Sequence, residues 1–263
     1  MRFLPTLILA GALAPFYSAQ AYDVTLTFNN LSGANGAALS PFFIALQNGS
    51  YDAFNAGSTA SAAIAQLAET GSGAGLAAQF ASVYPSGISA EVTASQNGFG
   101  PGIYLPGASG SITLNLDPTQ DRYLSYFAMV VPSNDRFVGN DSPVQIQLFN
   151  SQGNFTGGTY VYNGNSVWDA GSEVSQLAGA AFVAGSNSAD NIPLNGVIAA
   201  NDNFSPYGGA TTAAGYSFTN LPGSNTPLYS ISAVTAVPLP AAFWLFGTAL
   251  PALGLVRRRN SGV

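Results

Sequence analysis

Cysteine, histidine and lysine are absent from the 263-residue chain, and charged residues make up only 7% of it, against about a quarter of an ordinary soluble domain. Each absence removes chemistry. Without cysteine there is no disulfide, no thiolate nucleophile and no sulfur-ligated zinc. Without histidine the commonest general base and the usual zinc ligand are gone. Without lysine there is no Schiff base and no Walker-type phosphate site. What remains is carboxylate chemistry and hard cations held by oxygen.

The few charges are unevenly placed. The six basic residues are Arg2, Arg122, Arg136, Arg257, Arg258 and Arg259, and all 12 carboxylates lie between Asp23 and Asp202. The middle therefore sets two arginines against twelve carboxylates, a net charge of −10, while both ends are positive. Such a body repels polyphosphate, which argues against nucleic-acid binding.

The N-terminus, MRFLPTLILAGALAPFYSAQAYD, has a basic residue, an apolar stretch and then Ala19-Gln20-Ala21. This is the pattern of a secretory signal peptide over 1–21, cleaved after Ala21. Residues 239–256 carry no charge and precede Arg257, Arg258 and Arg259. As a helix this run spans about 27 Å, one hydrocarbon thickness. The arginines place its far end in the cytoplasm. The sequence thus predicts an exported domain with a C-terminal transmembrane helix.

Between the ends, period-two alternation marks strands. It runs through DVTLTF, through 88–95 and 111–116, through VQIQLF (144–149) and TYVY (159–162), and through a last strand over 229–237. YLSYFAMVV (123–131) is continuously apolar, as a central strand is. Helix formers over 61–69 and 75–83 predict two short helices. The stretch 185–215 reads as a long loop region, and no repeat is present. The expected fold is all-β, an antiparallel β-sandwich with two short helices inserted near its N-terminal part.

The tail resembles a known class. Val237, Pro238, Leu239, Pro240 and Ala241, followed by Trp244-Leu245-Phe246-Gly247 and the arginine cluster, are similar to a variant of the bacterial PEP-CTERM sorting signal over 237–260. The resemblance implies recognition by an exosortase, a passing inner-membrane stage, and release to the cell surface or extracellular space. The two prolines keep the backbone extended, as a protease substrate must be.

The body, 22–236, resembles the spondin N-terminal domain in three stretches: 39–71, where a strand passes through Asn48-Gly49 toward the first helix; FAMVVPSNDRFVG (127–139); and VWDAGSE (167–173). The resemblance implies a β-sandwich and a calcium ion at one end, held by Asp135, Asp169 and Glu173. Glu173 departs from the aspartate usual at its position. Calcium takes six to eight hard oxygens, and Gly171 frees the backbone to turn between Asp169 and Glu173. Three clustered carboxylates repel one another without a cation, and Arg136 is at hand to offset part of that charge. The same residues also read as a turn cap at Asp135, a helix cap at Asp169 and a solvated Glu173. Tyr160, Tyr162, Trp168, Tyr207 and Tyr216 are candidates for a carbohydrate platform.

The function expected is non-enzymatic: an exported adhesion or matrix protein binding a glycan or protein partner, with calcium organising its loops. A glycoside hydrolase pairing Asp135 with Asp169 or Glu173 is the main alternative. A purely structural surface protein is the third.

Overall fold

The computed structural model describes residues 21–235. Ala19 and the rest of the leader up to residue 20, the sorting motif Val237–Ala241, the 239–256 span and Arg257–Arg259 lie outside the described residues. Ala21 is exposed, just ahead of the first strand.

Twelve strands and two α-helices follow one another. They are β1 (Tyr22–Asn30), β2 (Ala38–Leu39), β3 (Phe42–Gln47), α1 (Ala62–Thr70), α2 (Ala74–Val83), β4 (Ile88–Val92), β5 (Ser109–Leu116), β6 (Tyr123–Val131), β7 (Arg136–Gly139), β8 (Ile146–Gln147), β9 (Thr159–Asn163), β10 (Val167–Asp169), β11 (Ala199–Ala200) and β12 (Pro227–Thr235). They form two antiparallel sheets. One has the order β5-β1-β12-β9; the other runs β11-β10-β7-β6-β3-β4, with β2 and β8 also paired to β6.

Alternation decides which faces meet. Val24, Leu26 and Phe28 of β1 and Tyr229, Ile231 and Ala233 of β12 point inward from the first sheet. They share one core with Phe42, Ile44 and Leu46 of β3 and Tyr126, Ala128 and Val130 of β6. Phe28 stacks on Phe42 with ring centroids 4.6 Å apart. The hydroxyls of Tyr126 and Tyr229 meet at 2.8 Å across the same core, one donating to the other.

The second sheet is buried on both faces, which is why 123–131 reads as continuously apolar. Phe43, Ala45, Phe127 and Phe137 face outward and meet Ile64, Leu67 and Ala68 of α1 and Leu76 and Phe80 of α2. The helices are therefore a third layer. α1 starts at Ser61, whose hydroxyl accepts the Ile64 N–H at 3.2 Å. It stops at Gly71, whose φ of +73° suits a residue without a Cβ.

The expected strand over 144–149 shrinks to Ile146–Gln147. The N–H groups of Leu148 and Phe149 both donate to the Arg122 carbonyl, at 2.9 and 3.3 Å, so two residues oppose one and the ladder ends in a bulge. The stretch 185–215 holds only β11 and short 3₁₀ turns. Among the described residues, no helix is long and apolar enough to cross a membrane.

Phe42 is fully buried between the sheets. Phe42→Ala is expected to cost about 3–5 kcal/mol in urea unfolding; a loss under about 1 kcal/mol would mean the sheets do not close over this ring.

Candidate functional site

β6 and β7 are joined by Pro132-Ser133-Asn134-Asp135, and Ser133, Asn134 and Asp135 are at most 1% exposed. A buried connection must satisfy its polar groups internally. The Ser133 hydroxyl donates to the Val130 carbonyl at 2.5 Å and accepts the Arg136 N–H at 3.2 Å. The Asn134 amide oxygen accepts the Gln176 N–H at 3.0 Å and the Tyr207 hydroxyl at 2.9 Å, and its amide nitrogen donates to Asn191 Oδ1 at 2.9 Å. The connection is thus bound to the segment after β10 and to the long loop region.

Asp135 faces the turn that follows β10. Its Oδ2 accepts the N–H groups of Ser172 at 2.8 Å and Glu173 at 3.0 Å. Its Oδ1 is buried and has no partner among the described residues. Gly171, at φ +67°, makes the turn possible; a Cβ there would lie 2.7 Å from the Val197 carbonyl oxygen. Burial pushes the Asp135 carboxyl up to about 6, and the charge of Asp169 adds to the rise against the opposing N–H groups.

Glu173 shares the predicament. Its Oε2 is also buried and unpartnered among the described residues. Burial pushes its carboxyl up to about 7, and Glu69 and Asp135 add repulsion.

Asp169 behaves differently, and the helix cap read at it is corrected. It is the last residue of β10 and caps no helix. Its Oδ1 accepts the Gly171 N–H at 2.9 Å, and its Oδ2 accepts from Asn201 Nδ2 at 3.0 Å. Arg136 Nη2 lies 3.9 Å from that Oδ2. Register explains the pairing, because Asp169 sits opposite Arg136 in the β7–β10 ladder. The Arg136 guanidinium is itself buried over the Phe204 ring, at 4.9 Å from its centroid, and donates to the Asn201 carbonyl at 2.5 Å.

The Asp135 carboxylate therefore holds the Glu173 backbone N–H, while Asp169 repels Asp135 and lies against Arg136. Among the described residues, no three Asp or Glu side chains gather closely enough to hold a metal ion between them. The donor set nonetheless suits a hard cation at two of the three positions, where a carboxylate oxygen is buried without a donor. Arg136 offsets charge as expected, but at Asp169.

Residues missed in the sequence complete the surroundings: Glu69, Asn191, Asn201 and Ser175. Glu69 carried one signal. It is a carboxylate in the last turn of a helix that has no basic residue there, where the macrodipole disfavours it.

The aromatic candidates form no common platform. Tyr160 and Tyr162 pack on the inter-sheet core, Trp168 packs against the helix-layer core, and Tyr207 is fully buried. Tyr216 donates its hydroxyl to the Gly36 carbonyl at 3.0 Å. Two pockets, of about 410 and 350 Å³, open elsewhere around Glu91, and neither is lined by Asp135, Asp169 or Glu173.

No family model and no curated protein matches the chain.

The raised carboxyls fix a pH dependence. Asp135 and Glu173 bind protons more tightly folded than unfolded, so in EDTA they stabilise the fold fully below about pH 4 and lose that contribution as pH rises through about 6 and 7. The melting temperature in EDTA should fall by on the order of 5 °C between about pH 4.5 and pH 7.5. A flat or rising profile across that window would contradict the assigned environments.

Proposed function

We propose that the chain is an exported, non-enzymatic adhesion or matrix protein whose spondin-like β-sandwich binds calcium at the end formed by Asp135 and Glu173. One observation carries the reading: Asp135 Oδ1 and Glu173 Oε2 are two buried carboxylate oxygens with no donor among the described residues. Leaving charged oxygens buried and unpaired is costly, and a hard cation removes that cost. Calcium would draw these two oxygens together with backbone carbonyls and water. Asp169 would serve it from the rim, in competition with Arg136.

Placement in the cell follows from the two ends. The leader over 1–21 directs export, and the 237–260 tail is held briefly in the inner membrane until an exosortase processes it at Val237–Ala241. The mature protein then reaches the cell surface or the extracellular matrix, where it binds a glycan or a protein.

A glycoside hydrolase fits less well. A paired acid and base must reach substrate across a cleft, whereas Asp135 is fully buried and neither pocket is lined by it or by Glu173. A purely structural surface protein is the reading left if calcium has no effect.

Thermal melts of the full-length chain in EDTA and in rising calcium test the proposal. A ligand that binds only the folded state stabilises it by about 2.7 kcal/mol at a hundredfold excess over Kd, on the order of 5–10 °C here. Asp135→Asn should abolish the calcium response while leaving the protein folded in EDTA. Equal melting temperatures for wild type with and without millimolar calcium at pH 7.5 would refute the site.

A further inference from the structure

The two pockets are parts of one surface. Both are lined by Ser72 and Glu91, and they meet at Glu91 of β4, the edge strand of the larger sheet. Among the described residues, Ile88–Val92 pairs with β3 alone, and the Val92 carbonyl accepts the Tyr104 hydroxyl at 3.0 Å, so the open part of the edge is Ile88–Glu91. An open edge exposes N–H and C=O groups to any extended chain.

The lining has a definite character. One pocket is walled by Ile103, Met129, Val131 and Phe182; the other is walled by Phe43, Ala74 and Ala77. Glu91 is the charged side chain in both, and neither holds a basic residue. Its Oε1 accepts the Gly73 N–H at 3.2 Å, so the carboxylate is fixed at the junction. At the far end Phe182 packs edge-on against Phe99, which is 37% exposed, with centroids 5.7 Å apart. Phe182 is held at φ +64°, a conformation that costs a bulky residue about 1–3 kcal/mol and collects at ligand-binding places.

We infer that the β4 edge is a docking surface for an extended peptide that alternates basic and apolar residues, adding to the sheet as a further strand. Main-chain bonds to β4 supply affinity, while apolar side chains enter the two pockets and a basic side chain meets Glu91. The acidic body, at −10 between the ends, draws such a peptide in and repels an acidic one. The inference deepens the proposed binding role by naming the partner class, and it is independent of calcium.

Fluorescence anisotropy with the full-length chain in lipid nanodiscs tests it. The probes are a labelled nine-residue peptide alternating valine and lysine, the same peptide N-methylated at alternate residues, its valine–glutamate counterpart, and a neutral β-linked glucose hexamer. The lysine peptide should bind, and N-methylation should weaken it at least tenfold by removing the strand's donors. Glu91→Lys should also weaken it at least tenfold, and Glu91→Gln less. Equal binding of the N-methylated or the glutamate peptide would overturn the inference, as would capture of the hexamer in place of the peptide or no binding at millimolar peptide. A calcium response kept alongside any of these failures would leave the proposed site standing, and peptide binding without a calcium response would do the reverse.

Discussion

A buried carboxylate with one oxygen satisfied and the other bare is the constraint on which this architecture turns. The Asp135 Oδ2 oxygen holds the Ser172 and Glu173 N–H groups, which pins the segment after β10 against the β6–β7 connection. The Asp135 carbonyl accepts the Ala170 N–H at 3.0 Å and extends the same attachment. Asn134 ties in the long loop region through Gln176 and Asn191. In a chain without disulfides, these bonds are what keep a Gly/Asn/Ser-rich stretch in one conformation. The bare Oδ1 opposes them, because its charge gains nothing from the fold unless a proton or a cation meets it.

The layers explain why this constraint sits where it does. Being covered on both faces, the larger sheet has only its ends and edges for polar work. One end carries the Asp135–Glu173 pair; one edge carries Glu91 and its pockets. Arg136 lies against Asp169. Asp135, which feels the Asp169 charge, turns one carboxylate oxygen to the Ser172 and Glu173 N–H groups instead. Asp135 and Glu173 are the two of the three carboxylates that keep a buried oxygen without a partner among the described residues.

Much of the fold was legible in the sequence because it depends on local periodicity. Val24, Leu26 and Phe28 alternate, helix formers run over 61–69, and 123–131 is apolar throughout; each pattern names its element without help from the rest of the chain. The bulge that cuts short the strand at Leu148 was not legible, since it arises from the Arg122 carbonyl just ahead of β6. The site was legible only in part. Asp135 and Glu173 were indicated by their motifs, and Gly171 by the turn it allows. The partner of Asp169 depends on the β7–β10 register, and the approach of Glu69 depends on how α1 lies over β6 and β7; neither is encoded within any short stretch. The aromatic residues misled for the same reason, because exposure is settled by packing and not by composition.

The most direct test of the central claim is a crystal structure of the mature protein grown with calcium at neutral pH. The expected map shows a cation about 2.3–2.6 Å from Asp135 Oδ1 and from a Glu173 carboxylate oxygen, with Asp169 still against Arg136. A map with only water, or nothing, beside a fully ordered Asp135 would contradict it and make the buried carboxyl a protonated structural group instead.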